Sequence, residues 1–147
     1  MHLIIDGYEG NVALLQDREG LYQLLDRYPE VIGMHKIAPP FVFRYVGEKP
    51  GDWGFSGFVL IAESHISIHT FPTRGYVNID VFSCKDFPVH QAIEDMSEAF
   101  GLGRVKTFVL HRGLEYPADP ESAAALVRRE RQTVAAGDHP DLASSAP

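Results

Sequence analysis

The sequence predicts an α+β fold in which an antiparallel β-sheet carries two helices on one face. Segments with strand character outnumber segments with helical spacing, and short turns join several of the strands. Two segments place apolar residues at helical spacing, which is typical of helices packed on a core. An antiparallel sheet covered on one side by helices, a layered α+β sandwich, is the simplest arrangement that buries both patterns.

The first 30 residues predict a strand followed by a helix. His2–Tyr8 is an apolar run that ends at Glu9-Gly10-Asn11, a turn signal. Asp17 is placed to cap a helix, and Pro29 is expected to stop it. The apolar residues of this helix recur at helical spacing: Leu21, Leu24, Leu25 and Tyr28.

Six further strands are expected after the first helix, and two of them, Ser64–Thr70 and Tyr76–Cys84, alternate β-branched and polar residues. They are Val31–Ile37, Phe41–Val46, Phe55–Ala62, Ser64–Thr70, Tyr76–Cys84 and Arg104–Leu110. Gly47–Gly54 is a loop by composition, and Phe71–Gly75 is a turn. A second helix begins at Pro88 and stops at Gly101.

The composition of the chain changes after Pro117. We predict one domain over residues 1–116 and a C-terminal extension over 117–147, because the body of the chain has no internal repeat. Within the extension, Pro120–Val134 has the character of a short helix. Residues 135–147 are rich in Ala, Ser, Gly, Pro and Asp, which predicts disorder.

Charge and composition exclude several classes of function. A net charge of −7 disfavours a nucleic-acid-binding protein, which needs a basic face. The single cysteine, Cys84, rules out an intrachain disulfide and a Cys-rich zinc site. The start of the chain lacks the features of a signal peptide, and no apolar run reaches membrane-spanning length. We therefore expect a cytoplasmic protein with neither nucleic-acid nor membrane partners.

The hairpin formed by Ser64–Thr70 and Tyr76–Cys84 concentrates reactive side chains on one face. Alternation turns the aliphatic residues of both strands toward the helices and leaves a polar set on the other side. That set comprises His65, Ser67, His69, Asn78, Asp80 and Cys84. Three interpretations compete: a hydrogen-bonded interface between subunits, a metal site, and a catalytic site.

The metal interpretation has weak support because no ligand set is fixed by spacing. His65 and His69 share a strand face, and Asp80, His90 or His111 are the partners that could complete a site. The catalytic interpretation depends on the whole string GFSGFVLIAESHISIHTFP followed by NIDVFSC.

This string resembles the bacterial and archaeal S-adenosylmethionine decarboxylase family. The resemblance extends over about residues 1–116 and is densest in Ser56-Gly57, Glu63-Ser64-His65 and the segment Ile68–Pro72. Gly75-Tyr76, Asp80-Val81-Phe82 and Cys84 also match, as does the first strand. His69 follows Ser64 by five positions and Cys84 follows His69 by fifteen, which is a specific combination.

The resemblance implies a proenzyme that cleaves itself between Glu63 and Ser64. The Ser64 hydroxyl attacks the Glu63 carbonyl, and β-elimination and hydrolysis then convert Ser64 into a pyruvoyl group, the cofactor. Ser56 and His69 are the implied processing residues, with His69 removing the α-proton of residue 64. The products are a β chain, Met1–Glu63, and an α chain, residues 64–147.

The resemblance also implies the roles of the mature enzyme. The pyruvoyl group serves as an electron sink for decarboxylation, and Cys84 returns a proton to the substrate carbon. The two cleaved chains are expected to form a homodimer that pairs its sheets into an α/β/β/α sandwich, with the active site near the interface.

The substrate expectation depends on Thr73. Family members that decarboxylate S-adenosylmethionine carry a glutamate at this position, where it binds the ribose hydroxyls. Because this glutamate is absent, we slightly favour L-ornithine or L-arginine as the substrate, in polyamine biosynthesis. S-adenosylmethionine, decarboxylated for spermidine synthesis, is the alternative. Phe71 and Glu9 are further candidate substrate-binding residues.

Overall fold

Six antiparallel strands form one sheet in the order β2-β3-β4-β5-β1-β6. The computed structural model describes residues 1–112 and 119–135. The strands are β1 (His2–Tyr8), β2 (Phe41–Val46), β3 (Trp53–Ile61), β4 (Ser64–Phe71), β5 (Tyr76–Ser83) and β6 (Arg104–Leu110). The hairpin predicted to hold the chemistry, β4 with β5, therefore lies at the centre of the sheet.

Three helices belong to the same unit as the sheet: α1 (Val12–Leu15), α2 (Arg18–Val31) and α3 (Val89–Phe100). The Asp17 side chain accepts a hydrogen bond from the Gly20 N–H and caps α2, as predicted. Gly101 ends α3 in the left-handed conformation with φ of 57°, which glycine adopts without steric cost.

One face of the sheet is buried against α2 and α3. The inward residues of the central hairpin, among them Ile66, Ile68 and Ile79, are 0% exposed. Leu25 of α2 and Met96 of α3 are also 0% exposed and belong to the same core. An α+β fold with an antiparallel sheet and helices on one face is therefore confirmed.

The opposite face of the sheet, here called the open face, carries exposed side chains in the part of the chain that the structure describes. It exposes large apolar side chains that alternation turns away from the helices. These are Phe41, Phe43, Tyr45, Phe58, Leu60 and Phe108. The polar residues of the central hairpin lie among them, half-buried or exposed.

Two local predictions are wrong. Pro29 does not stop the helix: it lies inside α2, which continues to Val31. Val31–Ile37 is not a strand: it contributes only an isolated bridge between Lys36 and Ile61. Only its last three residues lie beside the end of β3, where the Ile37 N–H donates to the Leu60 carbonyl and the His35 carbonyl accepts from the Ala62 N–H.

The chain divides into two units, Met1–His111 and Arg112–Pro147. In the second unit, α4 spans Pro120–Ala135. The disorder expected over residues 135–147 falls almost entirely on 136–147, which lie outside the described residues. No helix within residues 1–112 and 119–135 is long and apolar enough to cross a membrane.

Gly54 packs directly against the backbone of β4, which yields a test of the fold. A methyl group added at Gly54 would lie 1.8 Å from the Thr70 carbonyl oxygen, so β3 or β4 must shift. We expect Gly54→Ala to lower the free energy of unfolding by about 1–3 kcal/mol, measured by urea denaturation. In the control Gly103→Ala the methyl meets no backbone atom: it lies 2.5 Å from the movable Glu9 carboxylate and 3.0 Å from Glu9 Cβ, so we expect a smaller loss of stability. Equal stability of the two variants would contradict this packing.

Candidate active site

The Glu63–Ser64 peptide bond lies at the tight turn between β3 and β4. Ile61 pairs with Ser64, so Ala62 and Glu63 are the two turn residues. Ser64 has a φ of 156°, a positive value that residues with a side chain rarely adopt. Such a conformation costs about 1–3 kcal/mol and persists only where the surroundings impose it. Strain is therefore concentrated at the predicted cleavage site.

The carbonyl group of this bond faces a hydrogen-bond donor. The Cys84 backbone N–H donates to the Glu63 carbonyl oxygen at an N···O distance of 3.0 Å. A donor in this position stabilises negative charge on the oxygen when a nucleophile adds to the carbonyl carbon. The end of β5 thus provides a donor of the kind that an oxyanion hole requires.

The Glu63 side chain anchors the turn from the other side. Its carboxylate is buried and accepts hydrogen bonds from His35 N at 3.1 Å, His35 Nδ1 at 3.0 Å and Lys85 Nζ at 2.9 Å. The His35 side chain, its backbone N–H and Lys85 lower the pKa of Glu63 from 4.5 to about 2. These contacts therefore persist at neutral pH and weaken only as the pH falls from about 4.5 toward 2.

Ser64, the predicted nucleophile, has a histidine side chain beside it. Ser64 Oγ lies 3.2 Å from Nδ1 of His65. The edge of the His65 ring contacts Phe82, with ring centroids 5.7 Å apart and an interplanar angle of 71°. The structure therefore gives His65, the last residue of Glu-Ser-His, a contact that the sequence does not predict.

Ser56 and His69 form a separate pair on the open face. His69 Nδ1 lies 2.9 Å from Ser56 Oγ, and the two residues pair across β3 and β4. His69 is five residues beyond Ser64 on the same strand, so at 3.3 Å per residue it is ~16 Å away. Within one chain, the structure joins Ser56 to His69 but does not bring either to Ser64.

Cys84 lies with the cleavage turn rather than with His69. It follows the last residue of β5, Ser83, which pairs with Ser64, whereas His69 pairs with Asn78 further along the hairpin. The Cys84 side chain is exposed. The predicted residues therefore fall into two groups: Glu63, Ser64 and Cys84, and separately Ser56 with His69.

The predicted substrate-binding residues lie at the far end of β4. Thr73 lines an open cleft of about 510 Å³ between the β2–β3 loop and the turn Pro72–Arg74. Tyr45, Glu48, Lys49, Asp52 and Arg74 also line it. The carboxylate of Asp52 lies 3.9 Å from the Arg74 guanidinium.

The other two candidates lie near this cleft without lining it. Phe71 contacts the Tyr76 ring, with centroids 5.5 Å apart, and the Arg74 guanidinium lies 5.9 Å from its centroid. Glu9 is exposed at the end of β1, next to Gly75.

A metal site has no support in the described residues. No group of three or more His, Cys, Asp or Glu side chains in ranges 1–112 and 119–135 is arranged to hold an ion. Asp80, one of the expected ligands, instead accepts a hydrogen bond from His2 Nε2 at 2.8 Å.

Comparisons with known proteins agree with the fold. The family model described as S-adenosylmethionine decarboxylase matches residues 1–113. A crystal structure of the adenosylmethionine decarboxylase from Aquifex aeolicus VF5 is 28% identical, with a TM-score of 0.65 over 80% of this chain and 94% of that one.

Curated relatives carry the name S-adenosylmethionine decarboxylase proenzyme. One from Clostridium botulinum (strain Hall) is 31% identical over 113 residues, 76% of this chain and 92% of the relative. One from Acidithiobacillus ferrooxidans (strain ATCC 53993) is 47% identical over 62 residues, a match covering 42% of this chain and about half, 47%, of that relative. Because the family model matches most of the chain, residues 1–113, the chain belongs to the S-adenosylmethionine decarboxylase family.

Proposed function

We propose that the chain is the proenzyme of a pyruvoyl-dependent decarboxylase, with its activity in residues 1–116. The observation that carries this is the turn at Ser64: a strained serine follows a carbonyl that accepts the Cys84 N–H. Addition of Ser64 Oγ to that carbonyl exchanges the amide for an ester, and elimination from Ser64 then separates the two chains. The anchored Glu63 side chain keeps the carbonyl in place during the attack.

The surroundings of Ser64 fit a pyruvoyl group at this position. Residue 64 begins a central strand and is half-buried, so a group formed there stays fixed to the sheet. A pyruvoyl ketone supplies an electron sink for the loss of carbon dioxide from an amino acid. The Cys84 thiol, exposed beside the same strand end, is the proposed donor of a proton to the substrate carbon.

We propose that two copies of the chain are needed for one complete site. Ser56 and His69 are ~16 Å from Ser64 in the same chain, beyond the reach of a proton transfer. The open face of the sheet exposes a set of large apolar side chains around these residues, which a second sheet would cover. In a dimer joined through this face, Ser56 and His69 of one protomer form one active site with Ser64 and Cys84 of its partner.

S-adenosylmethionine is the proposed substrate. The relatives that match the chain are named for this activity, and the cleft at Thr73 offers groups that suit a nucleoside. Tyr45 presents an aromatic ring that is 58% exposed, and Asp52 supplies a carboxylate that Thr73 lacks. Aromatic stacking and a carboxylate for hydroxyl groups are the contacts that an adenosine needs.

A basic amino acid is the second candidate. It is favoured by one observation, the threonine at position 73 where a ribose-binding glutamate was expected. Asp52 and Glu48 would then contact the distal cation of ornithine or arginine.

Self-cleavage can be tested directly by intact-mass measurement. Purified wild-type protein should appear as two fragments, Met1–Glu63 and residues 64–147, the second with a blocked N-terminus. Ser64→Ala should stay full length because it lacks the nucleophile. Cys84→Ala keeps the backbone N–H and should still cleave itself, while its decarboxylation turnover falls at least tenfold. Full-length wild-type protein after prolonged incubation would refute the proposed cleavage.

The shared site can be tested by mixing two inactive variants. Ser64→Ala and His69→Ala should each remain uncleaved alone. When the two are co-expressed with different tags, a mixed dimer has one site that combines Ser64 of one chain with His69 of the other. The His69→Ala chain should then be cleaved in mixed dimers only. If it stays intact in purified mixed dimers, Ser64 and His69 do not act across the interface.

The substrate proposal predicts a preference among three amino acids. Carbon dioxide release should be fastest from S-adenosylmethionine, with ornithine and arginine at least tenfold slower in kcat/KM. Asp52→Asn should raise KM for S-adenosylmethionine about tenfold, because a charged hydrogen bond contributes ~1.5–3 kcal/mol. Asp86→Asn, at an exposed site outside the cleft, is the matched control. Faster release from ornithine or arginine would establish the second candidate instead.

A further inference from the structure

The ionisable side chain of His65 lies beside Ser64, the proposed nucleophile. Its Nδ1 lies 3.2 Å from Ser64 Oγ, within the range at which a base accepts a proton from a hydroxyl group. The contact with Phe82 limits rotation of the ring, so the nitrogen stays directed at the serine. For Nδ1 to accept, the imidazole must be neutral with its own proton on Nε2.

Three other ionisable side chains, His35, Lys85 and His69, have different partners. His35 and Lys85 both contact the Glu63 carboxylate, which holds them on the side-chain side of the turn. His69 of the same chain is ~16 Å from Ser64 and contacts Ser56. The first step of cleavage needs a base while the hydroxyl proton is still in place, and His65 fulfils this requirement without a second copy of the chain.

We infer that His65 is the catalytic base of the amide-to-ester exchange that begins the proposed self-cleavage. As Ser64 Oγ bonds to the Glu63 carbonyl carbon, the hydroxyl proton passes to His65 Nδ1. The bond between that carbon and the Ser64 nitrogen then breaks, and His65 returns the proton to the departing nitrogen. An ester and a free amine result, with no net gain or loss of protons.

This assignment divides the work between two histidines. His65 acts on the oxygen of Ser64 in the first step, within its own chain. His69, supplied across the proposed interface, is left for the later removal of the α-proton from residue 64. Loss of either histidine should therefore stop cleavage, but at chemically different stages.

The experiment measures cleavage of freshly purified proenzyme and traps the ester with hydroxylamine. His65→Ala and His65→Gln should cleave about 100-fold more slowly than wild type, the usual contribution of a general base. Glutamine can still accept a hydrogen bond from Ser64 but cannot take its proton. His90→Ala, an exposed histidine on α3, is the matched control and should cleave at the wild-type rate.

Hydroxylamine separates the two stages because it cuts esters and leaves amides intact. His69→Ala should accumulate ester, which hydroxylamine converts into fragments with a Glu63 hydroxamate and an unmodified Ser64. His65→Gln, alone or combined with His69→Ala, should yield no such fragments. A His65→Gln protein that cleaves within a few-fold of wild type, or that accumulates ester, would overturn the role of His65 alone. Wild type that never cleaves would overturn the proposed self-cleavage, and His65 with it.

Discussion

The geometry at the cleavage site depends on one buried carboxylate. Glu63 holds three segments together: its own turn, the segment between α2 and β2 at His35, and the residues just after β5 at Lys85. Because these three donors hold the side chain, the main chain of the same residue is fixed against the Cys84 N–H. A two-residue turn without such an anchor would relax, and the unusual conformation of Ser64 would relax with it. The anchor thus converts an ordinary hairpin turn into one that stores strain at a single bond.

The sequence predicts most of the sheet because its signals are local. Alternation in β4 and β5, the Asp17 cap and the Gly101 stop each depend on a few neighbouring residues, and all appear in the structure. The failure at Val31–Ile37 has a different origin: its first residue still belongs to α2, and only residues 35–37 lie beside the end of β3. Pro29 was misleading because a proline close to the end of a helix removes few hydrogen bonds.

The active-site residues were easier to identify than to place. The motif indicates Ser64, and the separation of His69 from it follows from the rise of a strand, which could have been computed from the sequence. The anchors His35 and Lys85 carry no local signal, because each reaches Glu63 from a distant part of the chain. The donor at Cys84 is a backbone group, so no residue type could have revealed it. Sequence therefore identifies the reacting atoms, while tertiary contacts supply what holds them.

The order of the strands determines how the two fragments hold together after cleavage. A cut after Glu63 would leave β1, β2 and β3 in one fragment and β4, β5 and β6 in the other. In the sheet, β1 lies between β5 and β6, and β3 lies beside β4, so the two fragments interleave. Neither can leave without breaking strand pairs in the interior. Once denatured, the two fragments would have to associate as separate molecules before they could refold, and this slows refolding. The lifetime of the cleaved enzyme then depends on its rate of unfolding more than on its free energy of unfolding. Folding must then precede scission, and the mature sheet preserves a structure that only the intact chain could readily assemble.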